Sequence, residues 1–163
     1  GTANAQQKFG HINSADLLQA MPEMKTADAT FQTFAKAKQT SLELMDAERQ
    51  KLVTSYEEKY KTLSEANRAT LEKELTTLVA SIQDLEKRIT DAQAKAQEEL
   101  TTKRTEIYQP VFKKAEDAVK AVAKEKGFAY VFDVSQPGVV YFDGGTDLIN
   151  DVKTKLGITT AAK

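Results

Sequence analysis

Between Thr26 and Lys126 the chain carries one proline and no glycine, and its apolar residues recur at helical spacing. The later half of this stretch is the cleaner. Leu71, Leu75, Leu78, Ile82, Leu85, Ile89, Ala92 and Ala96 follow one another at 4-3-4-3-4-3-4, a heptad seam. The earlier half fits the same template more loosely through Phe31, Ala35, Lys38, Leu42, Met45, Arg49, Leu52, Tyr56, Lys59 and Leu63. Charges at Lys38, Arg49 and Lys59 make this helix the less demanding partner. Ser64–Thr70 is so short a link that the two segments must fold back on each other, with Asn67 ending the first in the left-handed region or capping the second. The pattern predicts an antiparallel coiled-coil hairpin arm over 26–110, N-capped by Thr26, with its tip near 64–70.

The flanks read differently. Lys8–Asn13 alternates loosely, as a short strand does. Ser14 is a candidate N-cap for a short helix bearing Leu17, Leu18 and Met21, which Pro22 stops. Reflecting the hairpin about Ala66 sets Pro22 level with Pro110, so that height reads as the base of the arm, with Pro22 starting it and Pro110 kinking the returning helix. That helix runs through Val111, Phe112, Ala115, Val119, Val122 and Ala123 to Gly127, a C′ glycine. Phe128–Val134 and Val139–Asp143 are rich in strand formers and flank Ser135-Gln136-Pro137-Gly138, which predicts a β-hairpin. A last helix from Thr146 or Asp147 buries Leu148, Ile149, Val152 and Leu156 and stops at Gly157.

The expected fold is α+β: the arm projects from a small β-strand body made of 8–25 and 111–157, with tails at 1–7 and 158–163. Strand alternation puts Phe128, Tyr130 and Phe132 on one face, and Ala129 and Val131 on the other. A body this small has no independent core to spare, its strands are apolar on both faces, and three strands leave two unpaired edges. An oligomer is therefore expected, held through Ile12, Phe128, Tyr130, Val131, Phe132, Val140 and Phe142.

Composition narrows the chemistry. The 163 residues are 40% hydrophobic and 29% charged, with a net charge of −1 and a mean hydropathy of −0.49. The near-neutral balance gives no bulk attraction to nucleic acid or to an anionic surface. There is no Cys and one His, His11, so thiol chemistry, disulfides and His-rich metal centres fall away. No window approaches 18 continuous apolar residues. Asp133 and Asp143 lie on adjacent expected strands, but no base, pocket or metal set accompanies them, and no Lys-Ser/Thr follows Gly144-Gly145. No catalytic residue, metal or cofactor is assigned, and His11 reads as a partly buried structural residue. Ala3-Asn4-Ala5 has the small-x-small pattern that precedes a secretory cleavage site, after which Gln6-Gln7 would begin the mature chain.

Several stretches resemble the periplasmic chaperone family of Skp, the OmpH-like proteins. They are Phe9-Gly-His-Ile-Asn-Ser14, Leu17-Leu-Gln-Ala-Met-Pro-Glu23, the long charged heptad hairpin, Val119-Lys-Ala-Val-Ala123, Gly127-Phe-Ala-Tyr-Val-Phe-Asp-Val134, Val139-Val-Tyr141 and Asp147-Leu-Ile149. The order of elements carries the resemblance further than any one motif. It implies a jellyfish-like homotrimer in which short strands form a barrel-like body and helical arms enclose a cavity. Unfolded outer-membrane proteins are held there without ATP, in the periplasm, after removal of a signal peptide. The family's proposed lipopolysaccharide-binding basic cluster is not matched: only Lys103 and Arg104 stand in that region, beside Thr101 and Thr102. Lipopolysaccharide binding is therefore not carried over, and a sequence pI near 6.0 sets the chain apart from the strongly basic best-known member.

Phe34, Leu44, Val53, Tyr60 and Val79 are apolar residues off the strict seam. They either broaden the hairpin's own core or offer dispersed, shallow contacts to an unfolded client. Charges along the first arm helix balance: Lys36, Lys38, Arg49, Lys51, Lys59 and Lys61 stand against Asp28, Glu43, Asp46, Glu48, Glu57 and Glu58. A structural adaptor docking one defined partner would show a single strong apolar stripe opposite the seam. A prefoldin-like chaperone would place its strands between the arm helices rather than at the chain ends.

Overall fold

The structure is a computed structural model that describes residues 6–159. The cleavage-like Ala3-Asn4-Ala5 and the ends of both expected tails lie outside the described residues. In chain order the elements are β1 (Lys8–Ile12), α1 (Ser14–Ala20), α2 (Pro22–Lys61), α3 (Arg68–Lys126), β2 (Phe128–Asp133), β3 (Thr146–Asp147) and α4 (Ile149–Lys155). The protein is mostly helical with one small sheet, and it divides into two compact units, 1–30 with 105–163 and 31–104.

The first unit is built on a three-stranded sheet in the order β2-β1-β3, with both pairings parallel. One face of the sheet carries a core of Ile12, Leu17, Met21, Ala27, Val111, Ala115, Ala118, Val122, Leu148 and Val152. The expectation that one chain lacks an independent core is thus corrected, because helix residues from α1 to α4 together cover this face. Gly10 is part of the fit: a Cβ there would come within 2.5 Å of a Leu148 methyl and 3.1 Å of the Phe128 ring. Gly127 ends α3 at φ 74°, a left-handed conformation that suits glycine best.

Four local expectations are overturned. The segment 139–143 forms no strand, so there is no β-hairpin. Gln136 N–H donates to Asp133 and Val139 N–H to Gln136, and these two successive turns replace the tight loop a hairpin needs. Only Thr146–Asp147 joins the sheet, beside Gly10 and His11. Second, β2 does not keep Phe128, Tyr130 and Phe132 on one face. Lys8 is level with Phe128 but Phe9 with Tyr130, so Ala129 is an extra residue in a β-bulge. Phe128 and Val131 both pack against the core, leaving Tyr130 and Phe132 exposed on the other side.

Third, the helix starts are shifted. Asn13 rather than Ser14 caps α1, its Oδ1 accepting from Asp16 N–H at 3.1 Å. Pro22 does open the arm helix α2, as a first-turn proline, but Thr26 lies inside that helix rather than capping it, its hydroxyl donating to the Pro22 carbonyl. Thr146 and Asp147 belong to β3, and the Asp147 carboxylate accepts from Ile149 N–H at 3.0 Å at the start of α4. Fourth, Pro22 and Pro110 are not level. Glu23 pairs with Lys114 and Asp28 with Tyr108, which displaces the prolines by about one helical turn.

In the second unit α2 and α3 lie antiparallel, with Lys38 paired to Glu99 and Lys59 to Glu74. The heptad seam is the contact: Leu71, Leu75, Leu85 and Ala96 are buried, and Leu78, Ile82 and Ile89 are half-buried. Asn67 is neither left-handed nor an ordinary cap. Its side chain accepts from Ser64 N–H at 2.7 Å and donates to the Thr62 carbonyl at 2.8 Å, which ties the turn closed. Among the described residues no helix is long and apolar enough to cross a membrane.

Leu148 is fully buried where strand, helix and glycine meet. Leu148→Ala is expected to lower stability by about 2–5 kcal/mol in urea unfolding. Leu44→Ala, at an exposed helix position, is expected to change it by no more than about 0.5 kcal/mol.

Candidate binding surfaces

Among the described residues no helix lies on the sheet's second face. Phe9 and His11 from β1 and Tyr130 and Phe132 from β2 point to it, two residues apart in each strand. Phe9 lies against Tyr130 with ring centroids 5.4 Å apart and against Phe132 at 6.2 Å. Tyr130 and Phe132 stack within 8° of parallel. The segment after the turn closes along this face, with Phe142 at 4.9 Å from His11. Between them is a groove of about 580 Å³, lined by Phe9, His11, Phe132, Val140 and Phe142. Phe9 is 54% exposed, Phe142 53%, Tyr141 81% and Val140 93%, so the aromatic patch is contiguous and wet in the single chain. Patches of this kind mark interaction sites. Among the described residues the outer edge of β2 also has no strand beside it.

Of the residues expected to hold an oligomer together, Ile12 is a buried core residue, and Phe128 and Val131 are half-buried against the same core. Tyr130, Phe132, Val140 and Phe142 are exposed on or beside the aromatic face. Phe9 and Tyr141 belong to this patch and were missed from the sequence. The β1 alternation around Gly10 could have found Phe9, but its neighbours depended on the bulge at Ala129.

A polar cluster fixes one end of the sheet. Asp133 closes β2 and accepts from Ser14 N–H at 3.1 Å, Ser14 Oγ at 2.5 Å, Ser135 N–H at 3.0 Å and Ser135 Oγ at 2.6 Å. Burial pushes this carboxyl's pKa up, but the bonds from Ser135 and Ser14 outweigh it and bring it down to about 2. Because Asn13 does the capping, Ser14 is free to join the start of α1 to the end of β2. Asp133 is thus a structural tie, and Asp143 lies outside any strand rather than beside it.

In the second unit the five off-seam residues separate. Phe34 is half-buried between two cations, Lys38 Nζ at 5.0 Å and Lys103 Nζ at 5.4 Å from its ring centre. Arg104 lies 4.4 Å from the Phe31 ring. Val53 is half-buried, whereas Leu44, Tyr60 and Val79 are exposed. Tyr60 stacks on Tyr56 at 6.1 Å. Val53, Tyr60 and Val79 each follow a seam residue, Leu52, Lys59 and Leu78, and so share one flank of an antiparallel pair. Further along, alanines at Ala35, Ala47 and Ala96 leave an open groove of about 750 Å³ whose rim carries glutamines.

The sequence profile of the OmpH-like outer membrane protein family matches residues 8–156. The chain belongs to the OmpH-like family. It is 30% identical over 134 residues to the chaperone protein Skp of Vibrio cholerae, covering 82% of this chain and 75% of that protein. The solved structure of an OmpH-like protein from Caulobacter crescentus CB15 matches with a TM-score of 0.73 at 14% identity, over 100% of this chain and 93% of that one. At that identity the likeness is one of fold. The OmpH-like match takes in both units, so the uncovered aromatic face and the off-seam residues all lie within the matched region.

The folded-state pKa of Asp133 is depressed from 3.8 to about 2, so its contribution is complete at neutral pH and is lost as pH falls through about 4 toward 2. Asp133→Asn is expected to cost about 1–2 kcal/mol at pH 7 in urea unfolding. The gap between variant and parent should close near pH 2.

Proposed function

We propose that the chain is a holdase chaperone of the periplasm that binds unfolded outer-membrane proteins without ATP and prevents their aggregation. Family membership is the observation that carries this reading. We further propose that it works as a homotrimer, the state the family resemblance implies. An aromatic sheet face and an open β2 edge support assembly, since both would be covered by neighbouring copies. Phe9, Tyr130, Phe132, Val140, Tyr141 and Phe142 are the assembly residues in this reading. The helices of 26–110 act as the arm, and the flank of Val53, Tyr60 and Val79, with Leu44 on the outer surface and Phe34 opposite, meets the client.

Contacts of this kind suit a holdase. The exposed Leu44, Tyr60 and Val79 are spread along helices that also carry ion pairs such as Arg49 with Asp46 and Arg68 with Glu72. Weak, dispersed contact accommodates many sequences and permits release. With balanced charge along the helices, attraction is apolar and short-ranged, and added salt has little to screen.

The test is suppression of light scattering by an unfolded outer-membrane β-barrel diluted out of urea. The chain should suppress aggregation at near-stoichiometric ratios, to a similar extent at low and moderate NaCl. The triple variant Leu44→Ser, Tyr60→Ser, Val79→Ser should lose activity several-fold while keeping its mass and helicity. Absence of suppression would overturn the holdase reading, and a steep loss with salt would overturn the apolar mechanism.

A further inference from the structure

We propose that His11 makes assembly of this protein pH-sensitive, its imidazole having to stay neutral where a second copy covers the aromatic sheet face. The inference rests on the assembly reading above and adds a regulatory consequence to it. The chain has one histidine, and it stands in the middle of the uncovered face. Phe132 is level with it on β2, and the Phe142 ring lies 4.9 Å away. Gly145 closes another side, where a Cβ would come within 3.6 Å of His11 Nδ1.

The charged groups around the ring are carboxylates. Asp147 is level with His11 on β3, and its Oδ1 is engaged by Ile149 N–H at 3.0 Å. Asp143 lines the same groove as His11. From β2 the residue level with His11 on this face is Phe132, an aromatic, and Tyr141 lines the groove from the following segment. Lys8, on the same strand, donates to the Lys126 carbonyl and lies over Phe128, whose ring packs against the core.

This setting gives the sign. In the separate chain, water and the two carboxylates accommodate an imidazolium. Covering the face removes water, and desolvation disfavours the charged form. Protonation therefore favours the separate chains. An imidazole titrates in the range between about pH 5 and 8, whereas ordinary carboxylates remain ionised above about pH 5. Within that window imidazole is the side-chain type that changes charge, and His11 is the imidazole this face carries. By linkage each protomer takes up as much as one proton on separation. The logarithm of the dissociation constant then rises by up to about one per protomer for each unit the pH falls.

Sedimentation equilibrium of the full chain at pH 7.5, 6.5 and 5.5 tests this, with His11→Gln and His11→Phe as variants. The parent should dissociate at least about tenfold more readily at pH 5.5 than at 7.5, and both variants should lose that dependence. Should one variant fail to fold, the other serves, and the ring proton signals of the single histidine give a second readout. Their titration midpoint should lie lower in concentrated, assembled protein than in dilute protein. A dissociation constant that does not change with pH, or variants that keep the parent's pH dependence, would overturn the proposal. A parent that is monomeric at pH 7.5 at every concentration would overturn the assembly reading itself, and this inference with it.

Discussion

Five residues at the start of the described chain, Lys8–Ile12, supply the middle strand of the sheet. β2 and β3 do not touch as neighbours; each bonds to β1 instead. The backbone of β1 therefore joins the N-terminal end of the chain to the segments that follow residue 127. Val134 N–H donates to the Ile12 carbonyl and Leu148 N–H to the His11 carbonyl, extending this joint past both partner strands. The core depends on it as well, because Ile12 and Gly10 face Leu148 and Phe128 only when β1 sits between the other two. Parallel strands cannot be joined by tight hairpins, and here the pairing of β1 with β2 is closed by the whole length of both long helices.

The two faces of that sheet have opposite fates. One receives apolar side chains from all four helices and is sealed. The other presents stacked aromatic rings to water, beside a strand edge that has no partner among the described residues. The single chain is thus complete in its core and incomplete at its surface. In the function proposed above, copies of the chain cover this face, and the dispersed residues of the helical pair are left for clients.

How much of this was legible beforehand depends on the length scale of the signal. The heptad seam from Leu71 to Ala96 repeats often enough to set helix type, direction and buried face, and the lysines at seam positions find acidic partners rather than breaking the pattern. Gly127 and Gly157 mark helix ends because few other residues take up their positive φ. The sheet was read less well. Strand propensity in Val139–Asp143 is real, but pairing is a tertiary event, and β1 made the parallel arrangement instead. The bulge at Ala129 inverts the assignment of Phe128, and no local pattern announces an extra residue in a strand six residues long. Choosing between Asn13 and Ser14 as cap required knowing that Asp133 would claim the serine.

Residue-resolved hydrogen exchange in the 163-residue chain addresses the role of β1 most directly. If β1 is the joint on which the first unit depends, the hydrogen-bonded amides of β1 and β2 should open only with that unit as a whole. Their opening free energies should then match that of the buried stretch of α3 around Val122. Fast exchange throughout β1, with α3 around Val122 still strongly protected, would show that the unit stands without its middle strand and would contradict this account.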